Sequence, residues 1–276
     1  MFDSNVLEVG IGMIVCFAST ALIASSLQEA LASVLRLRAR TLLTGINELL
    51  NGQNLVVAIY NHALVNPRSD GKATSIATIS KRWAPSYIEP ANFARALVDS
   101  LQKSDPAANM RPILDSITDP QVRQCLCSLY ERANLSTADF EASIAKWFDS
   151  AMDRVAGAYK RQTQLLTFVL ALVVAVALNI DAYRIMISLW AISTHGMLHV
   201  TVPALDQQDA SKAFSSLAQL PIGWVRGQSY NCDFILGAIP GWIVAATSTL
   251  FGAPFWFGIL GKVAILRGAG DKPKST

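Results

Sequence analysis

Residues 6–26 read VLEVGIGMIVCFASTALIASS, a run whose single charge is Glu8. About 20 apolar residues make a helix long enough to cross a hydrocarbon layer of about 30 Å, so this run predicts a membrane span. Two further blocks of the same character follow, Leu165 to Ile180 and Phe234 to Leu260. The second reaches spanning length when Thr163, Gln164 and Asn179 are counted as its margins. Composition agrees: hydrophobic residues make up 52% and charged residues 16%, against about 25% charged in an ordinary soluble chain. The fold class this predicts is all-α, with three transmembrane helices and a helical cytoplasmic domain between the first and second.

The flanks give the spans a direction, because cytoplasmic ends are enriched in Lys and Arg. Arg36, Arg38 and Arg40 follow the first block, and Arg154, Lys160 and Arg161 precede the second. Lys262, Arg267, Lys272 and Lys274 follow the third, while Asp3, Glu8, Asp181 and Asp233 mark the opposite ends. Sixteen of the 23 basic residues fall within 27–162. All three spans therefore place the N-terminus outside and the C-terminus in the cytoplasm. Ala18 to Ser26 offers small residues to a signal peptidase, but the run lacks a basic leader, so it reads as an uncleaved anchor.

The organisation predicted is a first transmembrane helix in 1–35 that extends into the cytoplasm, then a helical cytoplasmic domain in 36–160. A second transmembrane helix occupies 161–182, and 183–233 is an outer, periplasmic segment. A third, Pro-kinked span occupies 234–262, and 263–276 is a cytoplasmic tail. Proline is absent from 1–66 and from 121–202, so each of the first two spans continues into a long polar helix. The first of these rods runs to about Asn51, weakened only at Gly45. The second starts near Ser136, where Ser136-x-x-Asp139 resembles a capping box. Phe140, Ile144, Trp147, Phe148, Ala151, Met152, Val155 and Tyr159 then recur at helical spacing, giving one apolar face. Shorter helices are expected over Leu55 to Val65, Ala91 to Gln102 and Gln121 to Ala133, with a mobile loop over Arg68 to Ser80.

Two features bear on helix packing. Gly12, Cys16, Thr20 and Ala24 form a four-residue stripe of small side chains, which lets another helix approach closely. Pro254 kinks or breaks the third span within Gly252-Ala253-Pro254-Phe255-Trp256-Phe257.

Motifs for chemistry do not assemble. His195 and His199 have the spacing of two ligands on a helix, but lack the following Glu and an evident third ligand. His62 reads as a helix-terminal residue. Cys125-x-Cys127 points its thiols to different faces and suits neither a disulfide nor a zinc knuckle. Gly71-Lys72-Ala73-Thr74 lacks the leading glycine and the hydroxyl residue of a phosphate loop. A net charge of +3 without a basic, aromatic-interleaved stripe does not suit nucleic acid. Glu8 and Asp181 are assigned to the outer edge of the spans, leaving no charge at membrane depth to mark an ion path. The sequence calls for no metal, no cofactor, no catalytic residue and no small-molecule substrate.

Several stretches resemble a widespread group of uncharacterised bacterial membrane proteins. They include Leu35-Arg36-Leu37-Arg38-Ala39-Arg40, Ile59-Tyr60-Asn61-His62, Pro85-Ser86-Tyr87-Ile88, Trp147-Phe148-Asp149 and Met152-Asp153-Arg154-Val155. Tyr159-Lys160-Arg161, Leu178-Asn179-Ile180-Asp181 and the Gly252 to Phe257 motif complete them in the same order. The chain departs from the group at Ala63, where the group has Pro, and at Gly258 and Gly261, where it has Asp and Asn. The resemblance implies the topology above and a bacterial inner membrane, and it implies no activity.

The function expected is a non-enzymatic, membrane-anchored interaction or scaffold subunit, self-associating or bound to another membrane protein. The alternatives are a pore or channel-like subunit, suggested by the kinked third span and Thr247-Ser248-Thr249, and a membrane-surface enzyme.

Overall fold

The computed structural model describes residues 4–80, 82–102, 110–194, 220, 222–224 and 230–268. His195 and His199 lie outside the described residues. Among the described residues all regular structure is helical. Helices α1 (Ser4–Val34), α2 (Leu37–Leu50), α3 (Gln53–Asn61), α4 (Pro90–Leu101) and α5 (Met110–Asp115) come first. Then come α6 (Pro120–Arg132), α7 (Thr137–Ala177), α8 (Ala182–Thr194), α9 (Cys232–Ser248) and α10 (Ala253–Gly268). Three stretches are long and apolar enough to cross a membrane: Asn5–Val34, Thr137–Ala177 and Cys232–Phe251. This is an all-α, three-span fold. The chain divides into a membrane unit, Met1–Leu31 with Gln162–Thr276, and a helical unit, Ala32–Arg161.

The helical unit is built on the apolar face of α7. Phe140, Ile144 and Phe148 are fully buried, four residues apart, as a helix facing a core requires. Phe148 stacks on Phe93 of α4 with ring centres 3.9 Å apart, and Phe140 meets Tyr130 of α6 edge-on at 5.1 Å. Leu50, Leu97 and Leu126 close the same core. Helix α2 lies against α7 at Gly45, where a Cβ would fall 2.6 Å from Val155 Cγ2. Gly45, read from sequence as a weak point of a rod, is thus a close-approach point.

Two sequence expectations change here. The first rod is interrupted at Arg36, which is left-handed (φ 51) and separates α1 from α2. The stretch 68–80 is pinned at several points. Asn61 donates to Ala73 O and accepts from Ala73 N, Arg68 lies 4.1 Å over the Trp83 ring, and Ile76–Thr78 forms a 3-10 turn capped by Ser75.

In the membrane unit the stripe on α1 organises the packing. A Cβ at Gly12 would fall 2.7 Å from Leu189 Cδ1 of α8. Ser193 of α8 donates to Glu8 one helical turn farther out (3.3 Å), so α8 runs antiparallel to α1. Ala24 packs with Ala171 of α7 and Ala246 of α9. Helix α10 meets α1 in reverse order as well: Ala253 lies with Ala21 and Leu22, and Leu260 with Ile11 and Val15. The third hydrophobic block is therefore two helices, α9 and α10, where the sequence reading had one kinked span over 234–262. The cause is local. After the 3-10 turn Thr249–Phe251, Gly252 takes φ 82, a conformation that suits glycine, and Pro254 fits the first turn of α10, where no N–H partner is needed. Trp256 Nε1 donates back to Ser248 O (2.8 Å) and ties the two arms together.

Candidate functional site

The second hydrophobic block does not end at Ile180. Helix α7 stops at Ala177 and α8 resumes at Ala182, joined by a four-residue break. Asn179 is left-handed (φ 47), as a helix C-terminus often requires, and Ile180 N–H bonds back to Ala175 O (2.7 Å). Asp181 then caps the next helix: Oδ1 accepts from the backbone N–H of Tyr183 (3.0 Å) and Arg184 (3.2 Å). Trp224 Nε1 donates to the last carbonyls of α7, at Val176 and Ala177. Asn179 donates to Gly223 O (3.0 Å) and accepts from Trp242 Nε1 (3.2 Å).

Depth follows from the antiparallel register. Leu189 faces Gly12, so counting eight residues back along α8 sets Asp181 level with Thr20. Helix α9 runs antiparallel to α8, with Gly237 near Arg184 and Gly241 against Asp181, and hence parallel to α1; Ala246 packs with Ala24, so counting five back along α9 sets Gly241 level with Ser19. Gly241 touches Asp181 directly, and the two routes agree within one residue, about 1.5 Å of rise. The uncharged run of α1 lies between Glu8 and Glu29 and has its middle at Ala18–Ser19. Asp181 is therefore level with the middle of that uncharged run. The sequence expectation put Asp181 at the outer edge and 183–233 outside; of that segment, residues 183–194 pack along α1 as α8. Hydropathy registers a polar joint as the end of a span, although a packed continuation follows it.

Asp181 is 3% exposed and carries an ion pair to Arg184, Oδ2 to Nε, 3.1 Å. The contact is one of charge, and Oδ2 has no aligned hydrogen bond among the described residues. Arg184 also reaches Phe234 O (3.4 Å), and its guanidinium lies 3.6 Å over the Phe234 ring. Even so, the Arg184 side chain stays 38% exposed. Ser19, fully buried at the same level, likewise has a hydroxyl without a partner among the described residues.

A second feature lies in the helical unit, a groove of about 340 Å³ between α2, α7 and the 86–90 turn. Leu42, Ile88, Phe148 and Met152 form its apolar walls, and Arg38 and Asp149 add one charge of each sign. Tyr87 lines it while remaining 73% exposed.

The other candidate residues have plain positions. Gly12, Cys16, Thr20 and Ala24 face the chain's own helices, and Thr20 Oγ1 donates to Cys16 O (2.8 Å). Phe255 is exposed and stacks on Phe251, while Trp256 and Phe257 are half-buried against α1. His62 accepts Leu64 N–H and pairs with Asp99 at 3.4 Å, a helix-end role. Cys127 lies 3.7 Å from Asp115, burial raises both the Cys125 and Cys127 thiols, and no metal-binding group of side chains occurs among the described residues. Sequence reasoning missed the Asp181–Arg184–Gly241–Trp242 cluster. Its available signals were the i, i+3 charge pair and a glycine following Pro240 in mid-span. No family model, no curated protein and no solved structure matches the chain.

Proposed function

We propose that the protein is a non-enzymatic, membrane-anchored interaction subunit of a bacterial inner membrane, presenting residues 32–161 to the cytoplasm as a docking domain. The observation that carries this reading is the groove beside Tyr87. A large exposed aromatic over apolar walls, with opposite charges nearby, has the make-up of an interface anchor rather than of a catalytic pocket. The excess of basic residues in 27–162 supports the cytoplasmic side. Self-association through the stripe on α1 has less support, because those residues already pack within the chain. A partner helix or a second copy engages the groove instead. Full-length protein purified in mild detergent should co-purify with a partner or run as a dimer by mass photometry, and Tyr87→Ala should abolish that association. A strict monomer with nothing bound, or association indifferent to Tyr87→Ala, would refute it.

The opposite course of α10 along α1 supports a C-terminus on the same side as the N-terminus. Charge alone argues for the cytoplasm; the packing supports the outside, with α10 as a fourth, shorter crossing beside the three helices long enough to span.

A second reading, a pore-like subunit, is favoured by the broken helix with a charged pair at mid-depth, since such breaks line ion and solute sites in membrane proteins. Conductance in planar bilayers that changes with Asp181→Asn would support it, and silent bilayers would remove it.

A further inference from the structure

We propose that the break between α7 and α8 is the floor of a water-filled cleft that reaches the middle of the bilayer. The proposal rests on the membrane placement given above.

Three independent observations meet at one level. Arg184 keeps 38% of its side chain exposed within about two turns of the middle of the apolar layer. A guanidinium facing acyl chains is strongly disfavoured, so intramembrane arginines face protein or water. The backbone is irregular there in two places, Leu178 to Asp181 and Ile222 to Trp224. Non-helical backbone at membrane depth is tolerated only when buried in protein or lining a water-filled cavity, and Trp224 is 41% exposed. Finally, Asp181 Oδ2 and Ser19 Oγ are buried without an aligned hydrogen-bond partner among the described residues. Buried polar atoms of this kind are what internal water satisfies.

The face is also set by geometry. Gly237 of α9 is exposed, and a Cβ there would lie 4.0 Å from Arg184 Nη2. Its neighbour Leu236 is 64% exposed at the same depth but turned about 100° around the helix, onto the apolar surface. The cleft follows the Gly237 side, with Arg184 on its wall and Asp181 and Ser19 at its base. Its occupant is water, and the half-engaged guanidinium makes it hospitable to a small anion rather than to hydrocarbon.

Single-cysteine probes decide the matter in the full chain reconstituted in liposomes. Cys16 is replaced by Ala and Cys125, Cys127 and Cys232 by Ser, so that each probe carries one thiol. Gly237→Cys and Leu236→Cys are each treated with a charged, membrane-impermeant methanethiosulfonate, with complete labelling in SDS as the reference. Only a hydrated thiol ionises and reacts, so Gly237→Cys should react about tenfold faster or more than Leu236→Cys. Slow reaction at both positions, or faster reaction at Leu236→Cys, overturns the cleft and leaves the membrane placement standing. Fast reaction at both means this depth is not hydrocarbon, and the placement fails with the cleft. If Gly237→Cys loses native helix content by circular dichroism, Trp224→Cys serves as the probe with the same expected result.

Discussion

The carboxylate of Asp181 lies against the bare α-carbon of Gly241. A Cβ at 241 would sit 2.6 Å from Asp181 Cγ and 3.2 Å from the backbone N of Ala182, so the start of α8 can approach α9 only where the side chain is missing. Gly241→Ala should therefore destabilise the membrane unit by about 1–3 kcal/mol, the usual range for overpacking a filled site. Gly258 in α10 has open space around it, with nothing within 4 Å of where an added methyl would sit, and Gly258→Ala should be neutral or slightly stabilising. Thermal unfolding of the two variants in the same detergent makes the comparison, and equal midpoints would contradict it.

Two residues that line the groove of the helical unit differ sharply in burial. Phe148 is 1% exposed and stacked on Phe93, so Phe148→Ala should cost about 3–5 kcal/mol. Tyr87 is 73% exposed, and Tyr87→Ala should change stability by no more than about 0.5 kcal/mol. Denaturant unfolding followed by circular dichroism distinguishes them; a large loss at Tyr87 would assign it to the core and weaken its part in docking.

Asp119 caps α6 by accepting from Val122 N–H (2.8 Å), and it also accepts from Asn51 Nδ2 (2.6 Å). The backbone hydrogen bond from Val122, foremost, holds its carboxyl below the ordinary value of 3.8. A carboxyl whose value is lowered by folding contributes stability that is fully present above its unfolded value and lost as pH falls through the folded one. Asp119→Ala should therefore lower the unfolding midpoint at neutral pH and flatten the acid limb below about pH 4. An unchanged acid limb would show that other carboxylates govern it.

The direction of α10 bears on topology. Alkaline phosphatase fused to the C-terminus should be active, because Leu260 and Val263 lie beside the outer half of α1. A fusion after Gln102 should be inactive. An inactive C-terminal fusion would place the tail in the cytoplasm, as charge alone suggests.

Much of the fold was legible because it rests on local patterns. Three apolar blocks, the 3.6-residue face of α7 and the boundary prolines each follow from neighbouring residues, and the structure has the corresponding helices. The stripe from Gly12 to Ala24 was visible too, but not its partner, since small residues state that something approaches without saying what. The joint at Leu178 to Asp181 reads as the end of a block because a hydropathy window weighs Asn179 and Asp181 as polar and is blind to Gly241, 60 residues later, which packs against the carboxylate. The same limit hid the turn at Gly252. Its positive φ reverses the chain, while the apolar character on both sides continues as though the helix were straight.

The continuation of the second span through α8 is the claim on which the membrane unit depends. With Cys16, Cys125, Cys127 and Cys232 replaced by Ala or Ser, Gly12→Cys and Leu189→Cys are combined and oxidised in native membranes. We expect the pair to cross-link within one chain, because these two positions touch, while Gly12→Cys with Tyr183→Cys should not. Failure of the 12–189 pair to cross-link, with both thiols titratable after denaturation, would return residues 183–194 to the outside and contradict the placement of Asp181 at mid-membrane.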